Sequence, residues 1–239
     1  MAGHSRWAQI KHKKTASDQK KGELFSKFAR LVTLAARTGG ANPEENVRLR
    51  DAILKARQAG MGQETIERAI GRASAPAAGR ELAAASYEAY GPGGIAILIE
   101  TITDNTNRTH QELRELLGRF GGKLAEPGAV RWLFERRLVF DIARPADAAE
   151  KLEYLLIDAG AEEIGQAADR IVAVVDPNAA DGFRAKLTAT GVPILESSYE
   201  YIPKTRTSLD QESHGELEKL LDALDGHADV QEIYTNADL

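Results

Sequence analysis

From Glu23 onward the apolar positions fall at helical spacing. Leu24, Phe28, Leu31 and Ala35 form one stripe, with Phe25, Val32 and Ala36 beside it, the repeat of a helix with one buried face. Gly39-Gly40 ends it. Asn42-Pro43-Glu44-Glu45 then reads as a helix start, with Asn42 as the cap, Pro43 in the first turn and Glu45 reaching back. This second helix turns Leu49, Ile53 and Ala56 inward and Arg48, Arg50, Lys55 and Arg57 outward. Gly60 closes it, and Gln63–Ala73 gives a third helix through Ile66, Ala69 and Ile70. After a linker-like stretch at 74–85, strand patterns begin. Ser86–Tyr90 reads as an edge strand. Gly91-Pro92-Gly93-Gly94 forces a turn, and Ile95–Thr101 is apolar enough to be a buried strand. Cap-type residues at 103–109 precede a helix over 107–120, Gly121-Gly122 ends it, and Ala129–Arg136 predicts a further strand.

From Leu138 the pattern is a strand (LVFDI), a helix (Pro145–Ala159), two strands (AEEIG and RIVAVVD), a helix (Pro177–Thr190) and a strand (194–202). That order, β-α-β-β-α-β, is the ferredoxin-like split unit. The tail supplies a strand at Thr205–Leu209, a helix through Leu217, Leu220, Leu221 and Leu224, and a strand at Val230–Thr235. These complete a second such unit begun by 95–136. The expected fold is α+β: an N-terminal three-helix domain followed by two α/β ferredoxin-like domains, the last inserted into the middle one. The expected domains are 1–75 (basic, helical), 83–136 plus 204–239 (discontinuous) and 137–203 (inserted).

Charge changes the picture. Residues 1–75 hold fifteen Lys or Arg against seven Asp or Glu, a net of +8, while 76–239 carry a net of −13. A cationic end on an anionic chain points to a polyanionic partner met by that end alone. The candidate contacts are Arg6, Trp7, Lys11, Lys13, Lys14, Lys20, Lys21, Lys27 and Arg30, with Trp7 able to stack on a base. Residues 1–22, with little apolar material beyond Trp7 and Ile10, read as an arm or short basic helix that orders on binding. A second candidate surface combines the turn glycines Gly91, Gly93 and Gly94 with Asp104, Asn105, Asn107 and Arg108, where a helix start also suits a phosphate.

The chain has no cysteine, which excludes disulfides, thiolate metal sites and a Cys nucleophile. Its five histidines form no close ligand pair, so no metal is expected. No P-loop, dinucleotide-binding glycine motif or nucleophile elbow is present. The remaining enzymatic reading is a metal-dependent nuclease acting on branched DNA through Glu88, Glu100 and Asp104, which requires those acids to converge. No apolar run approaches the ~20 residues of a membrane span, and no signal peptide precedes the basic stretch. A cytoplasmic protein without cofactor or small-molecule ligand is expected.

The motifs MAGHSRWAQIKHKK, GGANPEENVRLRDAILKA, YEAYGPGGIAILIE with TDNTNRT, GGKLAEPGAV with WLFERR, and YIPKT with DVQEIYTNADL span the chain. They resemble the YebC family, whose mitochondrial members are translational activators. The resemblance implies a basic helical domain followed by two α/β domains. It also implies a non-enzymatic, nucleic-acid-binding regulator of gene expression, in the manner of DNA-binding transcriptional regulators. The alternative it implies is a ribosome-associated translation factor assisting elongation, for example at proline tracts. The expected partners are accordingly DNA, or rRNA and the ribosome.

Overall fold

The computed structural model of the chain describes residues 18–74, 81–144, 149–166 and 170–238. In chain order it begins with three helices, α1 (Asp18–Gly39), α2 (Val47–Gln58) and α3 (Gln63–Ser74). Strands β1 (Ala83–Tyr90) and β2 (Ala96–Thr103), helix α4 (Thr106–Arg119) and strand β3 (Lys123–Ala125) follow. Next come β4 (Phe134–Ala143), α5 (Ala149–Ala159), β5 (Glu163–Gln166), β6 (Arg170–Val175), α6 (Ala180–Ala189) and β7 (Ile194–Pro203). Helix α7 (Gln211–Asp225) and strand β8 (Val230–Thr235) end the chain. The fold is α+β, three helices followed by two ferredoxin-like layers of sheet and helix, the second inserted into the first. No described helix is long and apolar enough to cross a membrane.

The three helices pack through Val32, Ala36, Leu49, Ala52, Ala56, Ile66 and Ala69. Alanine at four of these seven positions lets the helix axes approach closely, and van der Waals contact is dense where side chains are short. The start of α2 departs from expectation. Residues 43–45 form a turn in which Asn42 Oδ1 accepts from the Glu44 N–H at 3.1 Å, and the helix begins at Val47. The cap is Asn46. Its Oδ1 accepts from Leu49 N–H (3.1 Å) while Nδ2 donates to the carbonyls of Ala35 and Gly40 (both 2.8 Å). One buried amide thus closes the end of α1 and opens α2, satisfying groups that helix termini leave unpaired. A side chain at Gly39 would meet that amide at 2.7–2.8 Å, so glycine there makes room for the cap.

The first sheet has the order β3-β1-β2-β8. Strand β1, expected at an edge, is internal. Only Glu88–Tyr90 pair with β3, however, so Ala83–Tyr87 have β2 as their sole strand neighbour among the described residues. That half-open position accounts for its weakly apolar sequence. β1 also occupies the place expected of Thr205–Leu209, which supplies only a bridge between Thr207 and Ala237. The expected strand at Ala129–Arg136 is a turn and a short 3-10 segment (Arg131–Leu133) leading into β4. The start of this stretch has another acceptor: the Glu88 carboxylate takes Val130 N–H at 2.7 Å and that of the preceding Gly128 at 2.6 Å.

The second sheet, β5-β6-β4-β7, is antiparallel throughout. Alternation places Leu138, Phe140, Ile142, Ile171, Ala173 and Val175 on the face covered by α5 and α6, where Leu156, Phe183 and Leu187 meet them. The Phe140 and Phe183 rings lie 4.8 Å apart. The described residues cluster into two compact units, 18–130 with 210–233 and 131–209 with 234–238.

Candidate nucleic-acid interface

Of the cationic candidates, Arg6, Trp7, Lys11, Lys13 and Lys14 lie outside the described residues. Lys20 and Lys21 fall on the first turns of α1, with side chains outside the described set. Lys27 and Arg30 are turned inward, a correction to their assignment as phosphate contacts. Lys27, 7% exposed, donates to the carbonyl and carboxylate of Asp225 at the C-terminal end of α7, where helix carbonyls lack partners and favour a cation. Arg30 donates to the carbonyl of Ala228 at 2.7 Å and pairs with the Asp229 carboxylate. Both charges therefore join α1 to the first sheet layer.

Outward charge survives on α2. Arg48, Arg50 and Arg57 are exposed, while Lys55 is half-buried. Arg50 donates to the carbonyls of Pro43 and Glu44, and Arg57 to the Gln63 side chain. None of the three is ion-paired with a described residue. Helical geometry puts Arg50 and Arg57 on one side of the exposed Val47 and Leu54, so the solvent face of α2 is apolar at its centre and cationic at its flank.

Asp229 organises the junction between α1 and the first layer. It precedes β8, and its carbonyl accepts from Ile102 N–H at 2.9 Å. Its carboxylate, 1% exposed as a residue, accepts from Thr109 Oγ1 (2.7 Å), Arg108 (2.7 Å) and Arg30. Burial by itself would raise this carboxyl. The hydrogen bonds from Thr109 and Arg108 and the charges of Arg30 and Arg108 prevail and hold it at about 2. The same contact raises Arg108, and burial with the Asp229 charge raises the Tyr87 phenol. An open cleft of about 560 Å³ borders this junction. Glu112, His227 and Asp229 bring one ligand-type atom each within 4.8 Å of one another, the sole such trio among the described residues. Asp229 already serves two guanidinium groups and a hydroxyl. His227 Nδ1 accepts from the Asp229 N–H at 3.2 Å, which assigns the proton to Nε2, 3.1 Å from Glu112. This donor set fits an ion-pair network and does not fit a cation.

The second candidate surface is not assembled as one site. Gly91, Gly93 and Gly94 sit at the start of β2, while Asp104, Asn105, Asn107 and Arg108 follow its end, ~23 Å away along an eight-residue strand. Gly91 is buried, and a Cβ there would meet Ile97 at 2.8 Å. Gly93 and Gly94 have φ of 66° and 74°, which the turn requires. Asn105 caps α4 by accepting from Arg108 N–H at 3.0 Å, Asp104 pairs with Arg108 at 3.0 Å, and Asn107 is exposed. The nuclease acids are similarly dispersed in duty. Glu88 holds two amides, Glu100 accepts from Ser86 Oγ at 2.7 Å, and Asp104 is ion-paired. Sequence reasoning missed Asp229 and Asn46. Asp229 lies 121 residues from Arg108, and no local pattern links them.

Fold and site together define a three-part α+β protein: a helical front end with outward arginines, fastened by Lys27, Arg30 and Asp229 to a ferredoxin-like layer that carries a second one as an insertion. The chain belongs to the TACO1/YebC family. Residues 5–76 match the family's N-terminal domain and 82–237 its second and third domains. A "Probable transcriptional regulatory protein" of Thermomicrobium roseum is 44% identical over 238 residues, covering 99% of this chain and 96% of the relative. A protein of the same description from Thermotoga maritima is 43% identical over 242 residues, covering 100% and 94%. The crystal structure of a conserved hypothetical protein from Aquifex aeolicus superposes with a TM-score of 0.85 at 37% identity, covering 97% of this chain and 96% of that one.

Proposed function

We propose that this protein is a non-enzymatic, nucleic-acid-binding regulator of gene expression, working in the cytoplasm and docking through its cationic front end. The observation that carries the reading is the charge partition, +8 over residues 1–75 and −13 over the rest, together with exposed α2 arginines that no described carboxylate neutralises. Phosphate contacts of this kind give affinity and salt dependence with little sequence reading. The names of the relatives favour a transcriptional role, and the separate structural duties of Glu88, Glu100 and Asp104 favour a binding protein over a nuclease.

A second reading, a ribosome-associated translation factor, is favoured by the same charges. A trunk of −13 is repelled by naked duplex, whereas a particle of RNA and protein offers both signs of surface. Cosedimentation and footprinting separate the two. Association with ribosomes at physiological salt, with only weak and sequence-independent DNA binding, rejects the promoter model. A footprint at one defined DNA sequence that survives ~0.2 M salt rejects the ribosome model. In either case Lys11→Glu, Lys13→Glu, Lys14→Glu combined with Arg48→Glu, Arg50→Glu should weaken binding strongly and flatten its salt dependence. Unchanged binding by that variant refutes docking through the front end.

A further inference from the structure

Edge strand β7 sorts its side chains by chemistry. Register places Glu196 opposite Asp141 and Glu200 opposite Arg137, on the face away from α5 and α6. Ser197, Tyr199 and Tyr201 lie on the other face, opposite Phe140, Leu138 and Arg136. Along this second face each of the three has an arginine at hand. Arg184 donates to Ser197 Oγ at 3.0 Å. The Arg136 guanidinium lies 4.2 Å from the Tyr199 ring centroid, and that of Arg131 lies 4.9 Å from Tyr201. The spacing is two residues of strand, roughly 7 Å.

The row is open to solvent at Tyr199 and at its arginines, with Ser197 and Tyr201 half-buried. Tyr199 is 51% exposed, and Arg131, Arg136 and Arg184 are all exposed. Helices α5 and α6 cover β4 and β6 and reach this margin through Arg184 at Ser197, and no strand flanks β7 on its outer side among the described residues. Neither Arg136 nor Arg184 is ion-paired with a described residue. A guanidinium stacked on one ring keeps its other plane and its N–H groups available. A large half-exposed ring beside Arg136 and Arg184, which no described acid neutralises, is a poor solvent surface and a good seat for bases joined by phosphates.

We infer that this row on β7 binds an unpaired RNA strand, its bases stacking on Tyr199 and the arginine planes and its phosphates meeting Arg184, Arg136 and Arg131. Single-stranded RNA is the occupant because its bases are splayed and can stack on aromatic rings and guanidinium planes. A duplex hides those faces. The row is separate from the cationic front end and does not depend on the function proposed above.

The test is fluorescence anisotropy of the full-length protein with a labelled short single-stranded RNA, and with the same sequence made duplex. Tyr199→Ala with Arg136→Ala should weaken single-strand binding about tenfold or more, with the circular dichroism spectrum retained. Tyr199→Phe, which keeps the ring, should bind as the unaltered protein does. Tyr199→Ala alone should lower affinity with the salt dependence kept, whereas Arg136→Ala, which removes a phosphate contact, should lower the salt dependence as well. Crosslinking of thiouridine-containing RNA to the unaltered protein should mark the peptide that carries Tyr199. Wild-type affinity in the double variant, or crosslinks only elsewhere, would overturn the inference. If those results came with loss of binding in the front-end variant, the function proposed above would stand and this surface alone would fall.

Discussion

Replacing Asp229 by asparagine tests the junction that joins α1, α4 and β8. The carboxylate is out of contact with water and holds two guanidinium groups and the Thr109 hydroxyl. A carboxyl held at about 2 against an ordinary 3.8 corresponds to about 2.5 kcal/mol of stability at neutral pH, at roughly 1.4 kcal/mol per unit. Asparagine also leaves two cations facing a single neutral oxygen, so Asp229→Asn should cost between about 2.5 and 5 kcal/mol at pH 7. The sign of the pH dependence follows from the depressed value. Above about pH 5 the carboxyl is ionised in both folded and unfolded chains, and the stabilisation is complete. Between about pH 5 and pH 2 the unfolded chain takes up a proton that the folded one refuses, and the stabilisation fades. Urea unfolding of both forms at several pH values is the assay, with titration of the Asp229 carboxyl followed by carbon-13 NMR. The gap between the two forms should be widest near neutrality and should narrow toward pH 2. A gap that is flat with pH, or a carboxyl midpoint near 4, would refute the reasoning.

Two further substitutions test the local readings. Aspartate caps helices about as well as asparagine, so a cap-only role for Asn46 predicts that Asn46→Asp is silent. Its amide also donates to the Ala35 and Gly40 carbonyls, so the change should cost about 1–3 kcal/mol, and an unchanged urea midpoint would refute the double role. Glu88→Gln keeps the shape of the side chain but loses one of two acceptors for Gly128 and Val130. It should cost about 1–3 kcal/mol and speed hydrogen exchange at those amides, and unaltered protection would remove Glu88 as the anchor of that turn.

Periodicity alone determined most of the architecture. The stripe through Leu24, Phe28, Leu31 and Ala35, the alternation in LVFDI and the order of elements from 138 to 202 each follow from which side of a helix or strand must leave water, and that information is local. The charge partition was equally legible, because charge is a property of the residue. Tertiary structure decided where those charges went. Lys27 and Arg30 sit in the same cationic run as Lys20 and Lys21, yet Asp225 and Asp229, some two hundred residues later, draw them inward. The same holds for Glu88, whose carboxylate takes the amides of a stretch that reads as a strand, and for Asn46, preferred over Asn42 because the fold brings the end of α1 to it. In each case the deciding energy is a hydrogen bond or ion pair between elements that meet only in the fold, across some two hundred residues for Lys27 and Arg30 and across the α1–α2 turn for Asn46. Such an energy exists only once the chain has folded, and no local pattern records it.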